Sequence, residues 1–369
     1  MSTATLRKSS LAGGQAPRWL PFAVGAGALV LGAALASLAG FSIGLWAVFA
    51  GLLFVVAGPA VVGAIEGRRK GVDALARYLV YGAFLLALIP LVSVIYTVLA
   101  RGLPGLDLNM LMTSMGGVTG ATDNAAAAGE TPVYGGAYHA ILGTLVVTFW
   151  ATLMSVPVGL LTAIFLVEYS GGRISGLIAR IITFLVDVMT GIPSIVAGLF
   201  AAALFVQIFD DPSMRMGFIA SVALSVLMIP TVVRNAEEML RIVPNELREA
   251  SYALGVRKWR TIAKVVIPTA ISGISSGVTL AIARVIGETA PILVTAGFVT
   301  TINANAFSGW MTTLPTYIYY QIVTPTSPTN PGISEGRAWS AALILIVIVM
   351  VLNLLARLIA KIFAPKTGR

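Results

Sequence analysis

Eight long apolar runs decide what this chain can become. They lie at about 19–40, 43–65, 78–100, 138–167, 181–208, 216–233, 265–298 and 338–363. Each holds about 20 residues or more, enough for a helix to cross roughly 30 Å of hydrocarbon. A chain in lipid must pair its backbone polar groups internally, which leaves helices and closed barrels. Barrel strands would be about ten residues long and would alternate apolar with polar positions. These runs do not alternate, so the expectation is an all-α polytopic membrane protein. Composition agrees: 11% of the 369 residues are charged, against about 25% in soluble domains.

The net charge of +9 has its explanation in where the charges fall. Eight spans return the chain to the side on which it began. With the N-terminus inside, 19 of the 24 Lys and Arg residues lie inside and three lie outside, Arg101, Arg215 and Arg337. Arg234 and Arg284 fall at or in the membrane. Basic residues collect on the cytoplasmic side, so both termini are expected there, and nucleic acid is not needed to explain the charge. The expected organisation is a cytoplasmic tail (1–17), a two-helix membrane hairpin (18–66) and a core (67–369). External loops fall at 101–137 and 299–337, and a polar cytoplasmic segment at 235–264. The first apolar run is long enough to remain as an anchor, and no secretory cleavage site is evident. His139 reads as a residue of the membrane boundary. Tyr317, Tyr319 and Tyr320 read as an interfacial aromatic belt.

Charge inside the apolar runs marks the chemistry. An ionised side chain at mid-bilayer costs on the order of 3 kcal/mol and normally faces a path or a partner. Arg284 and Glu288 are four apart, which puts them on one face of a helix. Asp187 precedes a break at Gly191-Ile192-Pro193, where Thr190 and Ser194 could donate hydrogen bonds into a cavity. Asp187 either pairs with an arginine or caps that break. Arg234 follows Pro230. A guanidinium offers paired donors to an oxyanion, and an Arg–Glu pair can also simply lock helices together. Cysteine is absent and His139 is the single histidine. That excludes disulfides, thiolate chemistry and multi-histidine metal sites. No Gly-x-x-x-x-Gly-Lys-Ser/Thr loop is present to bind ATP, and no nucleophile–base cluster marks an enzyme.

The segment 235–264 carries the most specific pattern. Glu249-Ala250-Ser251, three residues, Gly255, nine residues and Val265-Val266-Ile267-Pro268 resembles the EAA loop of bacterial ABC importer permeases. Small Ala250 and Ala253 permit close approach, and Gly255 suits the position just past a helix end. Arg284-Val285-Ile286-Gly287-Glu288-Thr289-Ala290-Pro291 resembles the signature of phosphate importer permeases of the PstA type. So do the stretches from Gly191 to Phe200, from Ile229 to Glu238 and from Leu314 to Tyr319. The likeness runs from about residue 76 to the end.

This resemblance implies a type I ABC importer permease core of six transmembrane helices, here with two additional N-terminal helices. It implies a plasma-membrane subunit, not itself an enzyme and without a cofactor of its own. Its substrate would be inorganic phosphate, with another oxyanion such as sulfate or molybdate as the alternative. Its partners would be a PstC-type permease, PstB-type subunits carrying ATP and magnesium, an external PstS-type binding protein and membrane lipids. In that family the positions of Arg234, Arg284 and Glu288 are implicated in phosphate passage; the residues themselves add Asp187, Thr190 and Ser194 to the expected path, with Glu288 holding Arg284 when no substrate is present. Glu249, Ala250, Ser251 and Gly255 would dock the ATPase. A continuous helix from Pro268 to Glu288 would link docking segment and charge pair as a lever about 30 Å long. A secondary transporter or channel would lack the docking segment.

Overall fold

The computed structural model describes residues 16, 17 and 19–363, with side chains as far as 358. Nearly all of the tail expected at 1–17 lies outside the described residues. So do the basic positions Arg7, Lys8, Arg18, Lys366 and Arg369, and the side chain of Lys361. Among the described residues the protein is helical and has no strand. Its helices are α1 (Leu20–Leu38), α2 (Ile43–Glu66), α3 (Arg68–Gly102), α4 (Leu108–Met112), α5 (Gly120–Ala127) and α6 (Tyr138–Ile164). Then follow α7 (Arg173–Thr190), α8 (Ser194–Phe209), α9 (Gly217–Ile242), α10 (Asn245–Ala253) and α11 (Lys258–Thr261). The last are α12 (Ile267–Val285), α13 (Ala290–Thr295), α14 (Leu314–Val323) and α15 (Gly332–Phe363). Two π-helical turns, Phe165–Tyr169 and Ile262–Val266, extend the C-terminal end of α6 and the N-terminal end of α12. Seven helices are long and apolar enough to cross a membrane, or eight spans if the bent pair α7–α8 counts as one.

Three runs differ from their expected form. The run at 181–208 is the pair α7 and α8, bent by 108° at Gly191–Pro193. The run at 265–298 is interrupted between α12 and α13. The run ending near 233 continues as helix to Ile242, so about the first quarter of the polar segment belongs to α9.

The chain divides into two compact units, Met1–Thr97 and Val98–Arg369, with the boundary inside α3. In the first, α1 and α2 form a hairpin through Gly40 (φ +81°) and Ser42, whose hydroxyl accepts from Leu45 N at 3.2 Å. Small residues set their spacing: a Cβ on Gly32 would stand 2.8 Å from Ala50 N. Close backbone approach of this kind is how helices pack in lipid, where apolar burial gives no advantage.

In the second unit α9 is the central helix, two-thirds buried over its most apolar window. It packs along α6 through small and hydroxylic residues. Ser221 Oγ donates to Val147 O at 3.1 Å, and a Cβ on Gly159 would sit 2.6 Å from Val232 Cγ1. Around this seam gather Ala151, Leu224, Met228, Val285, Ile292 and Met311. Gly143 on α6 meets the backbone more closely still: its Cβ would fall 2.1 Å from Thr312 O. Gly143→Ala is therefore expected to cost about 1–3 kcal/mol by overpacking, read as a lowered thermal midpoint of the detergent-purified protein. Unchanged stability would contradict the close approach.

At the N-terminal end of α6, the segments 101–137 and 299–337 form a layer that includes α4, α5 and α14. Arg337 Nη1 donates to Asp123 Oδ2 at 2.9 Å and its Nη2 to Tyr134 O at 2.7 Å. Asn124 Oδ1 accepts from Ser327 Oγ at 2.6 Å and Asn330 Nδ2 at 2.8 Å. His139, in the first turn of α6, is buried, with its ring 5.5 Å from that of Tyr317. One reading of this region is corrected here. Tyr317 is likewise fully buried, in the cluster with Met110, Leu314 and Ala341, and only Tyr319 of the expected belt is exposed.

Candidate functional site

Two helix breaks meet in the second unit. The first is Gly191-Ile192-Pro193, between α7 and α8. The second runs from Ile286 to Thr289, between α12 and α13. Pro291 explains the second, because it offers no N–H and its ring clashes with the carbonyl four residues back. The backbones after the breaks touch: a Cβ on Gly198 would lie 2.6 Å from Pro291 Cα. Only glycine at 198 lets α8 and α13 come so near.

The break overturns one expectation directly. Arg284 is in the last turn of α12, but Glu288 lies beyond its end, so they do not share a helical face. No ion pair joins them among the described residues. Arg284 is exposed, and its Nη1 stands 3.5 Å from Thr231 Oγ1 on α9. Glu288 is half-buried. The expected continuous lever from Pro268 to Glu288 is broken by the same four residues.

Arg234 takes the carboxylates instead. Its Nη2 donates to Asp187 on α7, and its Nη1 to Glu237 Oε2 at 3.1 Å. Asp187 thus pairs with an arginine, one of its two expected roles. Glu237 is buried and also accepts from Arg241 Nη2 at 2.6 Å. The sequence reading missed Glu237, although it stands three residues after Arg234 on the same helical face. Thr231, the contact of Arg284, is one turn before Arg234 and about midway along α9. The two arginines therefore flank the same turn of α9, one matched by two carboxylates and the other by none. Thr190 Oγ1 donates to Val186 O at 2.9 Å within its own helix, and Ser194 opens α8.

The segment after α9 is the short helix α10, followed by a glycine turn. Glu249 and Ala250 are exposed on α10, while Ser251 is buried and its Oγ lies 2.8 Å from Thr261 Oγ1. Gly255 has φ +74°, and its N–H donates to Tyr252 O at 2.9 Å. That is the left-handed C-terminal stop for which glycine is suited. Leu254 is 83% exposed and Trp259 56% exposed, apolar groups left open in an otherwise polar segment. Among the described residues no cluster of three His, Asp or Glu side chains could hold a metal ion.

Residues 155–369 match the family described as "Binding-protein-dependent transport system inner membrane component". The chain is 44% identical over 302 residues to the phosphate transport system permease protein PstA 1 of Mycobacterium tuberculosis (strain ATCC 25618 / H37Rv), covering 82% of this chain and 91% of that one. The chain belongs to the PstA family of ABC transporter permeases. The PstA of Yersinia pestis is 35% identical over 303 residues, 82% of this chain and 93% of the relative. A chain of the MetNI methionine ABC transporter in an inward-facing conformation is 21% identical, with a TM-score of 0.47, covering 62% of this chain and 94% of that chain. Family membership makes this PstA-family chain a multi-pass membrane permease.

Proposed function

We propose that this chain is the permease subunit of an ATP-driven importer of inorganic phosphate, with Arg284 and Arg234 on the substrate path. The observation that carries the reading is the pair of arginines flanking one turn of α9 beside two helix breaks. Phosphate near neutral pH is a small, doubly charged oxyanion, and a guanidinium presents paired donors to it. Arg284, without a carboxylate partner, receives the anion. Arg234 exchanges Asp187 for phosphate oxygen, which keeps binding weak enough for release, as conduction requires. Glu288, Thr190 and Ser194 line the broken segments where backbone polar groups face the path.

Glu249, Ala250, Ser251 and Gly255 present α10 to an ATP-hydrolysing subunit, which holds the ATP and magnesium. A PstC-type permease completes the path, and an external PstS-type protein delivers phosphate. In this reading both termini are cytoplasmic and the bilayer is the bacterial inner membrane. Residues 18–66 form a hairpin additional to the core of 67–369.

The test is purification with the co-purifying subunits and reconstitution into liposomes. Phosphate uptake that requires ATP and is not displaced by excess sulfate is the expected result. Uptake without ATP, or sulfate carried equally well, would overturn it.

A further inference from the structure

Besides the Ser251–Thr261 contact, the docking helix α10 is tied to the rest of the unit through Arg248. Arg248 lies on α10, one residue before Glu249. Its Nε donates to Glu168 Oε1 at 3.0 Å, in the π-helical turn that ends α6. Its Nη2 donates to Leu240 O at 2.9 Å, and its Nη1 to Val243 O at 2.6 Å, at the C-terminal end of α9. The two side chains are 12% and 5% exposed. One desolvated guanidinium therefore holds three elements: the docking helix, the end of α6 and the end of α9. Lys258, from α11, donates to the backbone carbonyl of the same Glu168 and stands 4.8 Å from the Tyr169 ring.

Two further features set this node apart from an ordinary helix cap. A buried ion pair is seldom the most stable filling for its volume, and apolar residues usually do as well or better. What it does supply is a fixed geometry. Both π-helical turns among the described residues also fall here, one carrying Glu168 and the other, Ile262–Val266, following α11. Such turns are uncommon and concentrate at functional sites.

We propose that Arg248 and Glu168 are positioning residues that make α10, the end of α6 and the end of α9 move as one body. Displacement of the docking helix then reaches α9, the helix that carries Arg234. The proposal rests on the reading of α10 as the docking element for an ATP-hydrolysing subunit.

The whole transporter, reconstituted in liposomes, tests it with Glu168→Gln, Arg248→Lys and the exchanged pair Glu168→Arg with Arg248→Glu. The readouts are co-purification of the ATP-hydrolysing subunit, ATP hydrolysis, and phosphate moved per ATP hydrolysed. Each single variant is expected to keep the subunit and its basal hydrolysis. Phosphate per ATP should fall about fivefold, the low end of measured coupling between sites, and the exchanged pair, which sets a carboxylate against the Leu240 and Val243 carbonyls, should recover little of it. An unchanged ratio would overturn the proposal. So would loss of the ATP-hydrolysing subunit in both single variants, which would make the pair a structural cap only. Leu254→Asp tests the docking reading separately: if the subunit still co-purifies, α10 and its surroundings are not the docking surface, whatever the clamp variants do.

Discussion

Arg284→Ala is expected to lower phosphate uptake by roughly 10- to 100-fold while the transporter still assembles. The magnitude follows from about 1.5–3 kcal/mol for a hydrogen bond to a charged group. Assembly should survive because Arg284 supports little: it is exposed, and its one side-chain hydrogen bond among the described residues, to Thr231, is 3.5 Å long. Arg284→Lys keeps the charge but loses the planar fork, so it should fall between wild type and Ala. Arg234→Ala is a different experiment. It strands Asp187 and leaves Glu237 to Arg241 alone, so it sets an unmatched carboxylate beside the proposed anion path as well as losing a donor. Uptake by proteoliposomes, measured beside recovery of the ATP-hydrolysing subunit, separates these effects. If Arg284→Ala transports normally, Arg284 is not on the path.

The second large effect is on stability. Arg337 and Asp123 have side chains 3% and 1% exposed, and they join the two long segments 101–137 and 299–337. Asp123→Ala leaves a buried guanidinium with only the Tyr134 carbonyl, and breaking such a pair costs about 3–5 kcal/mol. A marked fall in the thermal midpoint of the detergent-purified protein is expected. Replacing both members together, Asp123→Leu with Arg337→Met, should recover most of the loss, because no charge is then left alone. A double variant as unstable as the single one would mean that the packing of this layer, rather than its charge balance, was disturbed.

These pairings also show what could be read in advance. The apolar runs and the docking pattern were legible because each is local: length and spacing suffice. Gly255 followed from its position alone. The breaks were only partly legible. Gly191-Ile192-Pro193 announced an interruption, but a bend of 108° depends on what the second half packs against. Pro291 should have ended the helix assumed to pass through Glu288, but the apolar run on either side of it masked the signal. The ion pairs were barely legible: an arginine partner was expected for Asp187, but not which arginine. Asp187 and Arg234 are 47 residues apart, Glu168 and Arg248 80, and Asp123 and Arg337 214. Spacing along one helix favoured Arg284 with Glu288, whereas the fold gave the nearer carboxylates to Arg234.

The course of α9 changes what the intervening residues are for. Leu240, where Arg248 grips, and Arg234, where the carboxylates converge, are six residues apart on an unbroken helix, about 9 Å of rise. Their relative bearing around the axis is set by residue count, at about 100° per step in an α-helix. Asn235, Glu238 and Met239 thus act partly as a gear of fixed tooth number. One residue more or fewer would point grip and guanidinium in different directions while leaving the chemistry of each intact.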